Sequence, residues 1–166
     1  RRVLFRSILS LLMSMAIIMI LLMIVFGSVR VGLIGMIPNI TPALAVGGVM
    51  GWLGIPLDMM TATIMPMILG IAVDDTIHFI NHAHLEFNRT ADYIKTISTT
   101  FLVVGSAMVL STGILCVNFG MYMVSIAKNY FNLGLISLIG MLAALLADVL
   151  ITPILIKWCR VFGNEK

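Results

Sequence analysis

Two adjacent acids, Asp74 and Asp75, interrupt an otherwise apolar run from Met59 to Ile80 that carries no Lys or Arg to neutralise them. At hydrocarbon depth an acid costs about 2.5–3.5 kcal/mol on insertion scales. Two neighbouring carboxylates in low dielectric do not both ionise readily, and they titrate as a coupled pair. That is the chemistry of a group that takes up and releases protons. The plainer alternative is a neutral acid hydrogen-bonded between helices. On a helix, His78 lies four residues from Asp74 and three from Asp75, within reach of both. Asn81 and His82 continue the stripe, and Gly70 lies one turn the other way. Such a stripe leading to water has the makeup of a proton access path, because His titrates near neutrality. His84 reads as an ordinary interfacial residue. Asp74, His78 and His82 also have the helical spacing of metal ligands. No further ligand accompanies them, so neither a metal nor a cofactor is expected.

Asp148 is a third acid in an apolar run, with no like-charged neighbour in sequence. Pro153 frees the carbonyl of Val149 nearby, and a structural hydrogen bond is the expected role of Asp148. Ser106, Ser111 and Thr112 offer hydroxyls. In membrane helices these usually bond their own backbone or pack helices together; facing the acids, they would donate to a carboxylate.

The rest of the sequence says where these residues sit. Of 166 residues, 61% are hydrophobic and 10% charged, against about 25% charged in a soluble domain. So few charges exclude a soluble enzyme, a disordered tail and a disulfide scaffold. The net charge of +3 comes with no basic run dense enough for nucleic acid. Cys116 and Cys159 are too few and too far apart for a bridge or a metal knuckle. The chain opens with Arg1-Arg2 and lacks a starting Met, as expected for a piece of a longer protein.

A bilayer core about 30 Å thick needs about 20 apolar residues in a helix. Charge-free runs predict five spans, roughly 7–28, 33–54, 57–83, 98–118 and 131–157. The runs are continuously apolar and do not alternate, which excludes a barrel. The expected fold is an all-α membrane protein, a five-helix transmembrane bundle forming a single domain over 1–166. Gly54-Ile55-Pro56 predicts a tight turn between the second and third spans. Pro38 and Pro42 are placed in the first turns of the second span, where a missing N–H costs least. Pro66 should kink the third span, and Pro153 lies inside the fifth. The segment from His82 to Lys95 reads as the one polar loop, with a short surface helix over Ala91 to Thr99. Asn118 to Tyr130 reads as a second link. Close packing is expected at Gly47, Gly51 and Gly54 of the second span. It is also expected among the third, fourth and fifth spans, through Gly105, Ser106, Gly140 and Ala144. With the C-terminus inside, the inner face holds Arg30, Arg89, Lys95, Lys157, Arg160 and Lys166; the outer face holds Arg1, Arg2, Arg6 and Lys128. The excess favours that orientation by the positive-inside rule.

The decamer Gly70-Ile71-Ala72-Val73-Asp74-Asp75-Thr76-Ile77-His78-Phe79 resembles the fourth or tenth transmembrane helix of resistance–nodulation–division (RND) exporters. It is most similar to the branch related to mycobacterial lipid exporters, Patched and sterol-sensing domains. Gly51-Trp52-Leu53-Gly54-Ile55-Pro56-Leu57 resembles that family's link into the helix. Ser111-Thr112-Gly113 with Asn118-Phe119-Gly120 resembles the next helix, and Ala147-Asp148-Val149-Leu150-Ile151-Thr152-Pro153 the last helix of a half. The resemblance covers nearly the whole chain. It implies helices two to six of one six-helix half, with the first helix and an external domain lying outside this sequence. The Thr-Ile-His-Phe ending and the polar C-terminal tail point to the second half, helices eight to twelve.

By the same resemblance Asp74 and Asp75 are the proton relay, with His78 beside them. In the drug-efflux branch a helix-eleven hydroxyl in the other half completes the relay, and Ser111 stands nearest to its place in the local pattern. The relay Lys of that branch has no counterpart, as in the lipid-exporter branch. The implied protein is a non-enzymatic, multi-pass exporter of the cytoplasmic (inner) membrane. It couples protons to a hydrophobic or lipid-like substrate. Its partners are the bilayer, the other half and external domain of the same transporter, and a homo-oligomer; nucleic acid is not among them. A sterol-sensing or Patched-like lipid-binding regulatory module is the alternative. An intramembrane aspartyl protease is excluded, since Gly-x-Gly-Asp is absent.

Overall fold

A computed structural model describes residues 2–159 and Phe162, with side chains from residue 9 onward, Met59 aside. Arg1, Arg160 and Lys166 of the orientation argument lie outside the described residues, as do the side chains of Arg2 and Arg6. The chain folds as helices α1 (Arg2–Phe26), α2 (Val29–Leu53), α3 (Met59–Thr90), α4 (Tyr93–Thr100), α5 (Ser106–Tyr122) and α6 (Lys128–Trp158). A π-helical turn, Phe101–Gly105, joins α4 to α5 without a break. The segments Leu9–Phe26, Val29–Leu53, Met60–Thr90, Tyr93–Tyr122 and Lys128–Trp158 are each long and apolar enough to cross a bilayer. The protein is therefore an all-α membrane bundle, and among the described residues there is no strand.

Helix α6 packs against α2, α3 and α5, while α1 covers α2 and α3. The interior has three storeys. Val31, Phe79, Ile80, Ala83 and Ile156 form an apolar cluster toward one end. Val46, Met50, Ile64, Ile68 and Ile136 form another toward the opposite end. Between them, on the same three helices, lie the buried polar side chains Asn39, Thr76, Asp148 and Thr152.

Helix ends carry recognisable chemistry. Asp58 caps α3 in a reciprocal box with Thr61: its carboxylate accepts from the Thr61 N–H at 2.8 Å, and the Asp58 N–H donates to the Thr61 hydroxyl at 2.9 Å. Asp58 precedes the third span, and the Thr61 N–H holds its carboxyl below the usual carboxylate range. Gly54 ends α2 at φ 63°, the left-handed conformation that glycine adopts freely. Asp92 caps α4 by accepting from the Ile94 N–H at 2.8 Å.

Several boundaries differ from the sequence expectation. Helix α2 begins at Val29, so Pro38 and Pro42 sit in its interior, not in its first turns. The expected loop from His82 is helical as far as Thr90. Polar side chains do not stop a helix that leaves the hydrocarbon, and α3 ends only where Ala91 turns left-handed at φ 51°. The short helix expected over 91–99 exists as α4, but it runs straight on into the next span. Its Tyr93, Thr96 and Thr100 are buried against the bundle.

The close-packing positions also moved. Gly47 and Gly51 are exposed, and Gly54 is a cap. Ser106 is exposed and donates back to the Leu102 carbonyl at 3.0 Å. Gly105 is buried, but a Cβ there would meet Phe101 of its own turn. The close approach of α6 to α5 is made instead by Gly134, where a Cβ would stand 2.7 Å from the Phe119 carbonyl oxygen. Gly140 is tight as expected, against Ile68 of α3 and also Val46 of α2, and Ala144 is buried one turn on.

Two stability predictions follow from these contacts. Gly140→Leu should destabilise the bundle by at least the 1–3 kcal/mol that is about usual for overpacking, read as a lower melting temperature in detergent. Ala91→Gly should raise that temperature, by removing a left-handed strain of about 1–2 kcal/mol. An unchanged melt would contradict either one.

Candidate functional site

Helix α3 presents Asp74, Asp75 and Thr76 to different surroundings because consecutive residues lie about 100° apart on a helix. Asp74 and His78 point away from the bundle, with side chains 73% and 69% exposed. His78 Nε2 is 3.6 Å from Asp74 Oδ1 across one helical turn. Asn81, also exposed, continues that stripe. Asp75 is half-buried on the flank facing α5. Thr76, the next residue, is fully buried on the opposite side.

Two grooves run between α3 and α5. One, of about 620 Å³, is lined by Gly70, Ile71, Asp74, Asp75, Ser111 and Leu115. The other, of about 410 Å³, includes Asp74, Asp75, His78, Val103, Val104 and Ser111. The acid pair and Ser111 line the same grooves, and His78 joins them in the second. Ser111 donates to the Met108 carbonyl at 3.0 Å, so its hydroxyl keeps lone pairs free toward the groove. The short contact of His78 is with Asp74 and not with Asp75. His82 leaves the stripe: its Nδ1 is 3.4 Å from Thr100 Oγ1 at the end of α4. His84 stacks on Phe162 at a centroid distance of 5.0 Å. Among the described residues no group of His, Cys, Asp or Glu is arranged to hold a metal ion.

The far wall of the second groove is the π-helical turn. Phe101 anchors that turn edge-on against Phe79 of α3, with centroids 5.5 Å apart. π turns inside α-helices are rare and occur mostly at functional positions. Nothing in the apolar run Phe101-Leu102-Val103-Val104-Gly105 announces one, and it was not anticipated.

Asp148 belongs to a separate, inward-facing set. Its Oδ1 accepts from Thr76 Oγ1 at 2.6 Å and from Thr152 Oγ1 at 3.2 Å. Asn39 Nδ2 donates to Thr76 Oγ1 at 3.2 Å and to the Gly35 carbonyl at 2.7 Å. Asn39 Oδ1 and Asp148 Oδ2 are buried without a partner. Thr76, Asn39 and Thr152 were not picked out in the sequence. The available signal was an Asn in a charge-free span and a Thr four residues after an intramembrane acid.

The fold and these intramembrane acids define a multi-pass membrane protein. Over 139 residues, 84% of the chain, the sequence is 30% identical to "Putative membrane protein MJ1562" of Methanocaldococcus jannaschii. The chain spans about a third of that relative, 36% of its length. No family model matches the chain, and no solved structure matches it.

The groove beside the acids makes a stability prediction. A Cβ on Gly70 would meet nothing within 4 Å, and alanine gains up to about 1 kcal/mol of helix propensity over glycine. Gly70→Ala should therefore melt no lower than the wild type in detergent. A clear drop would mean that the groove is closed in the whole protein.

Proposed function

We propose that the chain is the membrane segment of a proton-coupled exporter of the RND type. Asp74 and Asp75 are its proton relay, His78 is the conduit, Ser111 is the neighbouring hydroxyl, and the cargo is hydrophobic or lipid-like. The observation that carries this reading is the acid pair standing at mid-span in grooves between α3 and α5. Its one basic neighbour within 4 Å among the described residues is a histidine, not a Lys or Arg. A permanent cation would fix the charge of the pair, whereas a titratable one lets it change. Protonation removes charge from a low-dielectric surface and so changes which packing of α3 on its neighbours is favoured; that difference drives a transport cycle.

An acid and a histidine so exposed at hydrocarbon depth call for a polar or protein cover. The other half of the transporter, with its external domain, fits the open α3–α5 face. Arg30, Arg89, Lys95 and Lys157 lie at one end of the bundle and Lys128 at the other. By the positive-inside rule the first end is read as cytoplasmic; the proposed location is the cytoplasmic membrane, with the relay opening inward through Asn81. Export of this kind needs no covalent step on the cargo, so the protein is read as a transporter and not an enzyme.

In vesicles of full-length protein under an imposed pH gradient, Asp74→Asn and Asp75→Asn should each abolish gradient-driven lipid export while leaving expression and folding intact. His78→Ala should slow export and move its pH optimum without abolishing it. Normal transport by both Asp→Asn variants would leave the pair a purely structural contact.

A further inference from the structure

The inward-facing set around Asp148 has a donor and acceptor imbalance that its own atoms do not resolve. Asn39 spends its two amide protons on the Gly35 carbonyl and Thr76 Oγ1. The Thr76 hydroxyl has a single proton, and at 2.6 Å the Asp148 carboxyl is its nearer acceptor. Thr152 donates to the same Oδ1. This leaves two acceptors, Asn39 Oδ1 and Asp148 Oδ2, fully buried and with no donor. Both belong to groups bonded to one hydroxyl, Thr76 Oγ1. A buried polar atom without a partner costs about 1–3 kcal/mol.

The charges around Asp148 do not favour a carboxylate. From α3 the titratable group acting on it is Asp75, another acid. On α2 the charged residue is Arg30, two and a half turns before Asn39; α5 carries no charged residue, and its titratable groups are Cys116 and, at its far end, Tyr122; on α6 itself Lys128 and Lys157 stand at the two ends, with Tyr130 beside Lys128. An ionised carboxyl here would be an unpaired charge in the middle of a membrane bundle.

We propose that Asp148 is a proton-binding site in its own right: Oδ2 carries a proton and donates it to Asn39 Oδ1. This closes a ring from Asp148 to Asn39 to Thr76 and back to Asp148. One proton converts an acceptor into a donor and satisfies both orphaned oxygens. The ring takes one side chain from each of α2, α3 and α6, so the bound proton clasps the three helices between the two apolar clusters. Release of the proton leaves two acceptors face to face and loosens α2 from α6. This site stands whether or not Asp74 and Asp75 relay protons.

Infrared spectroscopy of the full-length protein in lipid vesicles at neutral pH tests the site. The difference between wild type and Asp148→Asn should contain the C=O stretch of a protonated carboxyl. Asn39→Leu should move that band to higher frequency by removing its acceptor, and Thr76→Val should perturb it if the leucine variant does not fold. Asp148→Asn should itself melt like the wild type, since its amide can donate to Asn39 and accept from Thr76. Carboxylate stretches in place of the protonated band would overturn the proposal, with a bridging water taking the proton's place. So would a band lost on exchanging choline for sodium, which would make this a cation site, or one indifferent to both ring variants.

Discussion

The hydroxyl of Thr76 holds the middle of this bundle together. It lies 2.6 Å from Asp148 on α6 and receives the Asn39 amide from α2. The bilayer supplies no water to bond whatever a helix leaves unpaired, so polar groups there must find one another. Two apolar clusters above and below would fit many slightly rotated or shifted arrangements of the three helices. The polar layer permits few of them, because sliding α6 along α3 would part Asp148 from Thr76. The close contact at Gly140, against both Ile68 and Val46, follows from the same register.

Fixing α3 by Thr76 also fixes what its neighbours do. Thr76 faces inward, so Asp75, one residue earlier, looks toward α5, and Asp74 lies at the exposed edge of the grooves. Three polar residues in a row thus meet a packed interior, a groove and an open face. The first is saturated with hydrogen bonds from its own chain. The last has one histidine one turn away. Buried and exposed polar groups are thus separated by the helical rotation alone.

Most of the architecture was legible from the sequence because hydrocarbon imposes so plain a rule: an uncharged run of sufficient length crosses. The five spans and the Gly54 turn follow from it. The end of α3 did not, because beyond the membrane surface polar residues such as Asn81 and Glu86 are as compatible with helix as with loop. Asp74, Asp75, His78 and Ser111 were visible through their chemistry and spacing, and the fold gathers them in adjoining grooves. Asn39 and Thr76 were not, since an uncharged polar residue in a span is common and its partner lies on a helix distant in sequence. The glycines that allow close approach, Gly134 among them, are indistinguishable by sequence from exposed ones such as Gly51, because only the neighbour across the gap sets them apart.

The π turn at Phe101–Gly105 sets the phase of everything after it. A π turn holds one residue more than an α turn, so α5 is rotated by about 100° from the direction in which an unbroken α-helix would have carried it. Ser111 faces Asp75 by virtue of that one surplus residue. Deleting a residue from this stretch would leave a smoother and intrinsically better helix, yet it would swing the Ser111 hydroxyl a quarter-turn out of the groove. One surplus residue is a discrete feature, since every position of α5 downstream has its lipid-facing or protein-facing character set by the shifted phase.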